Sequence, residues 1–351
     1  MSWQGIEGHD DVVEQFRRAL ARGRLASTFL FVGPAGIGKR AFALKLAQAL
    51  LCQVNPQERL EPCGRCASCL QVQALTHPDL LLVEKPADKS TIPLELLIGP
   101  SERRMQEGLC HNIGLKPFMG GRRVAIINDA DLLAEEGANA LLKTLEEPPP
   151  RSVLILISAS QDKQLPTIRS RSEIVRFRPL DDEVVARLLV ARGDVENADE
   201  AARIARYSGG SLARASELAD ADLWAFRNQL LDALVEPNKD RVGFAGALIA
   251  FVDAAGKEAP PRRARARQTI GFAADFYRQV MRGLCGAQGS DDPELARAAQ
   301  RGISNWRGSE ESAGDCLARC LEALEQIDRN ANQAMLLEGW FDAVAEMSAR
   351  P

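Results

Sequence analysis

The chain is poor in aromatic residues. Phenylalanine, tryptophan and tyrosine make up 5% of its 351 residues, too few for a run of bases to be gripped mainly by stacking on side-chain rings. It also lacks an excess of positive charge. The formal net charge is −4 and the isoelectric point is near 5.7, which disfavours tight autonomous binding to DNA or to an anionic membrane. No apolar run approaches the roughly 18–20 residues of a membrane span. The start, Met1-Ser2-Trp3-Gln4-Gly5, has neither the basic nor the apolar region of an export signal. A cytoplasmic protein without membrane contact is expected, and in that reducing compartment clustered cysteines point to metal rather than to disulfides. There is no internal repeat, low-complexity tract or charged tail. What is there is 46% hydrophobic and 26% charged, ordinary for a globular protein and long enough for two or three domains.

After Asp10, apolar Val12, Val13, Phe16, Ala19 and Leu20 recur at helical spacing, and Gly23 is placed to end that helix. Residues 28–32 read as a buried strand and 41–51 as a helix. Further apolar runs at 80–83, 124–127 (announced by Gly120-Gly121) and 153–157 read as strands, with helical patterns over 101–109 and 132–146. Continuous apolar strands alternating with helices imply an α/β fold with a mainly parallel sheet covered on both faces. After Pro179 no strand pattern returns. Asp181 and Ser211 are placed as helix caps, and from about 221 to 349 the chain reads as helices alone, with its clearest break at 256–261.

Between the first strand and the helix at 41–51 lies Gly33-Pro34-Ala35-Gly36-Ile37-Gly38-Lys39-Arg40. It fits the phosphate-binding loop G-x-x-x-x-G-K-[ST] everywhere except at the last position. In such a loop the glycines let backbone N–H groups close around a phosphate, the lysine reaches the terminal phosphates, and the hydroxyl holds Mg²⁺. The strand–loop–helix context makes the pattern a structural claim. A bare turn at Gly33, Gly36 and Gly38 would not account for Lys39. Arg40 is a cation and cannot ligate a cation. The acidic element that a phosphoryl-transfer site needs on a neighbouring strand matches Ile127-Asn128-Asp129-Ala130-Asp131, with neutral Asn128 in the metal-orienting place and a carboxylate kept only at Asp129. Two losses in one function argue against Mg²⁺ and against hydrolysis by this chain. Binding of ATP or ADP stays open.

Cys52, Cys63, Cys66 and Cys69 are spaced C-x10-C-x2-C-x2-C, and Gly64 and Ser68 suit the tight turning this needs. Four cysteines suit a closed, structural Zn²⁺ site with no position left for water, in a module over 52–75. An iron–sulfur pattern would continue with x3-C-P, which is absent. Four free thiols are the remaining reading. Cys110, Cys285, Cys316 and Cys320 are dispersed and are expected in the core.

Two further motifs carry a resemblance. Asn139-Ala140-Leu141-Leu142-Lys143-Thr144-Leu145-Glu146-Glu147-Pro148-Pro149 resembles the signature helix of the clamp-loader AAA+ family. In its own right it is an amphipathic helix that buries Leu141, Leu142 and Leu145 and stops at the prolines. Ile168-Arg169-Ser170-Arg171-Ser172 resembles the Ser-Arg-Cys motif of that family, with Ser172 in place of the cysteine. Thr76-His77-Pro78-Asp79 is also similar to it, with His77 read as structural because four cysteines already fill a zinc site. The resemblance implies that Arg171 is a finger reaching a neighbouring subunit's ATP site, where an arginine offered in trans stabilises charge on the transferring phosphate. It implies an AAA+ P-loop domain over 1–176, a helical lid over 177–220 and a C-terminal helical collar over 221–351 that assembles a ring. In the lid, Gly210-Ser211-Leu212-Ala213-Arg214 resembles a second sensor whose arginine is Arg214. With Arg40 and Asn128 as departures, the implied role is a subunit that does not hydrolyse ATP itself. Its partners would be the tau/gamma and delta subunits of the bacterial DNA polymerase III clamp loader and, through the complex, the sliding clamp and primed DNA. An autonomous tau/gamma-like ATPase is one alternative, opposed by Arg40 and Asn128. A zinc-dependent DNA-binding module is another, with Arg262-Arg263-Ala264-Arg265-Ala266-Arg267 as its best basic patch.

Overall fold

The structure is a computed structural model and describes residues 3–86, 88–119, 121–236, 238–329 and 331–349. Gly120 of the Gly120-Gly121 pair, and Met1-Ser2, lie outside the described residues. The chain divides into two compact units, Met1–Glu217 and Leu218–Pro351.

In the first unit, β1 (Thr28–Val32), β2 (Leu80–Val83), β3 (Arg123–Ile127), β4 (Ser152–Ser158) and β5 (Glu173–Arg176) form one parallel sheet in the order β2-β3-β4-β1-β5. β1 sits between β4 and β5, with Thr28 opposite Leu154 and Phe29 opposite Glu173. β1, β3 and β4 are buried along their whole length, as strands covered on both faces must be. Alternate residues point to opposite faces. Phe29, Phe31, Val124, Ile126 and Ile155 pack with Phe16, Phe42 and Leu46 on one side, while Leu30, Ala125, Ile127, Leu154 and Leu156 pack with Leu141 and Leu145 on the other. Burying one such side chain contributes about 1.5–3 kcal/mol. β5 goes beyond the four apolar runs seen in the sequence. It has four residues, of which only Val175 is buried, so its pattern is too short and too charged to stand out.

The helices of this unit are α1 (Asp10–Ala21), α2 (Lys39–Leu51), α3 (Ala67–Gln73), α4 (Leu94–Ile98), α5 (Leu109–Gly114), α6 (Glu135–Glu146), α7 (Pro166–Arg169), α8 (Asp182–Arg192), α9 (Ala198–Ser208) and α10 (Leu212–Leu218). The helix expected over 101–109 is not formed. A single tight turn at Ser101–Arg103 takes its place. Gly99 and Gly108, both at positive φ, bracket this segment, and a Cβ on Gly108 would lie 2.5 Å from Gly99 N. The two glycines close a loop that a continuous helix would pry apart. Ser211 Oγ accepts from Arg214 N, as a cap should. Asp181 makes no side-chain cap bond, although α8 starts at the next residue.

The second unit is helical throughout its described residues: α11 (Ala221–Val235), α12 (Arg241–Asp253), α13 (Ala259–Leu284), α14 (Pro293–Asn305), α15 (Glu310–Asp328) and α16 (Gln333–Ala349). α13 packs against each of the other five, and its prolines fall in the first turn, where the missing N–H costs nothing. Arg227 is buried, bonded to Asp292 at 2.8 Å and Glu294 at 3.1 Å and lying over the Trp224 and Phe272 rings. Cys316 and Cys320 are buried, Cys110 is partly buried, and Cys285, contrary to the core expectation, is exposed. It is the C-cap of α13, where a helix end meets solvent. Among the described residues no helix is long and apolar enough to cross a membrane.

Candidate nucleotide loop and cysteine cluster

Because the five strands run the same way, the loops that follow them gather at one end of the sheet. The glycine loop lies there, between β1 and α2. Gly33, Gly36 and Gly38 have φ of 152°, 76° and 101°, conformations that residues with a Cβ rarely adopt. Lys39 is only 6% exposed, and its ammonium donates to the Gly33 and Pro34 carbonyls of its own loop. Burial pushes the Lys39 pKa below the ordinary lysine value, and Asp131 and Asp129 act against that shift. His9 Nε2–H donates to Ile37 O at 2.8 Å, and its ring stands edge-on to Phe177. At the position of the missing hydroxyl, Arg40 turns to Glu84 just past β2, with Nη2 2.6 Å and Nε 2.7 Å from Oε1.

The opposite wall comes from the end of β3. Asn128 Nδ2 donates to Asp129 Oδ2 at 2.9 Å, which leaves its Oδ1, a neutral acceptor, outside this bond. Burial and then Asp131 push the Asp129 carboxyl above its usual range. The better-anchored carboxylate is Asp131. It accepts from Ser158 Oγ, from Ala159 N at 2.7 Å and from Gln164 Nε2 at 3.2 Å, which ties the end of β3 to the end of β4. No motif pattern in the sequence assigns Asp131 a role. Its signal was the small polar pair Ser158-Ser160 at the end of an apolar strand.

These groups line a cavity of about 790 Å³ that includes Lys39, Arg40, Asn128, Asp129, Asp131, Leu180, Arg192, Leu212 and Ala213. The start of α10 presses on the loop: Ala213 N donates to Gly36 O at 3.3 Å, and a Cβ on Gly36 would run into Ser211 Oγ and sit 2.8 Å from Ala213 Cβ. Arg214 is exposed and is not on the cavity wall, whereas Arg192 is. Arg171 is held on the surface: Nη2 is 2.7 Å from Glu146 Oε1 and Nη1 donates to Thr167 O at 3.0 Å. One ion pair thus joins the end of α6 to the segment after α7, the two motifs singled out in the sequence.

The four cysteines come together. Their Sγ atoms all lie within 4.8 Å of one another, and Cys63 and Cys69 Sγ are 3.9 Å apart. Tetrahedral Zn–S bonds of about 2.3 Å place sulfurs about 3.8 Å apart, so the spacing suits a metal. Backbone N–H groups of Asn55, Cys66 and Cys69 point at Cys52, Cys63 and Cys66 Sγ at 3.3–3.4 Å. The Arg65 and Cys66 N–H groups draw the Cys63 thiol below its usual range, which favours the thiolate that a metal needs. His77 is not part of the cluster. Its Nδ1 accepts from Asp79 N at 3.0 Å, so Nε2 carries the proton and donates to Ser68 Oγ at 2.8 Å; Ser68 in turn donates to Leu51 O. Asp79, fully buried, accepts from Phe118 N and Met119 N.

Residues 8–181 match the family described as DNA polymerase III, delta subunit. The DNA polymerase III subunit delta' of Pseudomonas aeruginosa is 33% identical over 63% of this chain and 64% of its own length. That of Bacillus subtilis is 26% identical over 96% of this chain and 97% of its own. Over residues 8–181 the chain is similar to the delta-prime family. The family match takes in the glycine loop, the cysteine cluster, Asn128 and Arg171, and stops before Arg214 and the second unit. Delta-prime proteins are not the sole relatives: DNA polymerase III subunit tau of Escherichia coli is 27% identical over 68% of this chain and 38% of its own length. The match spans less than two thirds of the Pseudomonas delta-prime protein.

Proposed function

We propose that this chain is a subunit of the DNA polymerase III clamp loader that does not hydrolyse ATP itself. It serves as a stator in a hetero-oligomeric ring with tau/gamma and delta subunits, which opens the sliding clamp and sets it on primed DNA. The observation that carries this reading is the Arg40–Glu84 pair at 2.6 Å, a guanidinium and its counter-ion standing where a hydroxyl would ligate Mg²⁺. Asn128 offers a metal only a neutral amide oxygen in place of a carboxylate. The loop and sheet form the P-loop domain over 1–176, α8 to α10 belong to the lid over 177–220, and the helices of 221–351 form the collar. Zn²⁺ held by Cys52, Cys63, Cys66 and Cys69 plays a structural part. Arg171, braced by Glu146, is the finger offered to the neighbouring ATP site.

Two measurements test this. The purified chain alone is expected to turn over no ATP, with or without Mg²⁺. In the reconstituted complex, Arg171→Ala is expected to leave assembly intact and to silence the one ATP site it serves, since a finger is worth about 10³-fold or more in rate. Total turnover then falls by that site's share. An unchanged rate sinks the finger assignment, and turnover by the chain alone that Lys39→Ala abolishes sinks the stator.

A further inference from the structure

The end of the sheet opposite the glycine loop holds a cleft that the proposed function leaves unused. It measures about 500 Å³ and lies between the chain that follows Cys52 and the turns leading into β3 and β4, lined by Gln53, Asn55, Gln57, Gly121, Arg122 and Arg151. Two arginines therefore share one small cleft. Strand alternation separates Arg122 from Arg123: the latter is buried against Asp79, while Arg122 faces the cleft. Only Nε of Arg122 is held, by Gln57 Oε1 at 2.8 Å. Among the described residues its Nη groups have no partner. Burial and then the charge of Arg151 lower the Arg122 pKa, with Glu58 alone acting against them.

Arg151 is placed with some strain. Ser152 N donates to Pro149 O at 3.1 Å, closing a four-residue turn in which Pro150 is second and Arg151 third with φ of 62°. Proline sets its own φ near −65°, so this is a type II geometry, whose third position favours glycine. A long cation occupies it instead. Among the described residues no carboxylate or carbonyl answers its guanidinium. Two guanidinium groups that line one cleft, with the Arg122 Nη groups and the Arg151 guanidinium open, offer donors suited to a tetrahedral oxyanion, which arginine binds in a bidentate manner.

We infer that this cleft binds a phosphate group between the Arg122 and Arg151 guanidinium groups. A free anion such as pyrophosphate and the backbone of a single-stranded nucleic acid present the same chemistry. The test is calorimetric titration of the full-length, zinc-loaded chain with inorganic pyrophosphate in Mg²⁺-free buffer, alongside a labelled single-stranded oligonucleotide. Arg122→Gln and Arg151→Gln are each expected to weaken pyrophosphate binding about tenfold or more, the effect of one lost charge-assisted pair. Lys39→Ala, which alters the glycine loop, leaves that binding in place. Arg151→Gly suits the turn and is expected to melt no lower than wild type while losing the anion, so that misfolding is separated from loss of the site. If oligonucleotide affinity falls in the same variants, backbone phosphate is the ligand; if only pyrophosphate responds, the site takes a free anion. Absence of pyrophosphate binding, equal binding in the arginine variants, or loss in Lys39→Ala alone overturns the inference.

Discussion

The two ends of the parallel sheet differ in how their charges are answered. At the carboxyl ends of the strands, Lys39 is held by its own loop carbonyls, Arg40 by Glu84, and Asp131 by three donors from the β4 side. These three charges have internal partners. At the amino ends, Asp79 and Arg123 are answered, but Arg122 and Arg151 face a cleft with open donors. Parallel sheets usually bind ligands beyond their carboxyl ends. Here the loop's own charges at that end are paired, whereas Arg122 and Arg151 at the other end keep open donors. A site whose charges are paired within the chain keeps its shape without a ligand, which is what a stator requires and a motor does not.

The largest effect is expected at the amino-end module. Cys69 is fully buried, and Cys69→Ser, or removal of metal by a chelator, should release one zinc per chain. It should also lower the stability of the first unit by several kcal/mol, because metal affinity in small modules is folding free energy. A melting curve that zinc loss leaves unmoved would show that the cluster is no anchor. Next comes Asp131→Ala at the carboxyl end. It strips the partners from Ala159 N and Gln164 and should cost about 1–3 kcal/mol in chemical denaturation; a cost near zero would mean that water already serves those groups. Arg40→Thr should change stability by less than about 1 kcal/mol, because the Arg40–Glu84 pair is exposed. It should still not yield hydrolysis, since Asn128 remains. Turnover by that single variant would place the whole defect at Arg40. The smallest effect is Asp129→Asn. The folded-state pKa of Asp129 is raised, so its ionised form costs stability at neutral pH, and the cost fades as the folded chain takes up the proton in acid. The variant should be slightly more stable than wild type at pH 7, with the gain shrinking towards pH 4.

Much of this was legible in the residues. β1, β3 and β4 are uninterrupted apolar runs because both faces of a parallel sheet are covered, and a glycine loop between strand and helix has few structural uses. The cysteine spacing required the turn that Gly64 makes at φ 71°. The misses share a cause. β5 exists through pairing with β1, not through its own pattern. The segment 101–109 has helical spacing, yet Gly99 and Gly108 must approach each other. Asp131, Arg122 and Arg151 gain meaning only from neighbours far away in sequence. Periodicity reports an element's own face and is silent on what faces it.

One helix joins the two ends. α2 starts at Lys39 and runs 13 residues to Leu51, about 20 Å. Its last carbonyl takes the Ser68 hydroxyl and its Gln48 amide holds Cys69 O at 3.0 Å. It is a stiff strut with one foot under the glycine loop and the other clamped beside the thiolates. Any tilt or slide of that strut displaces both feet together. Metal bound at the far foot would therefore hold the loop still from a distance.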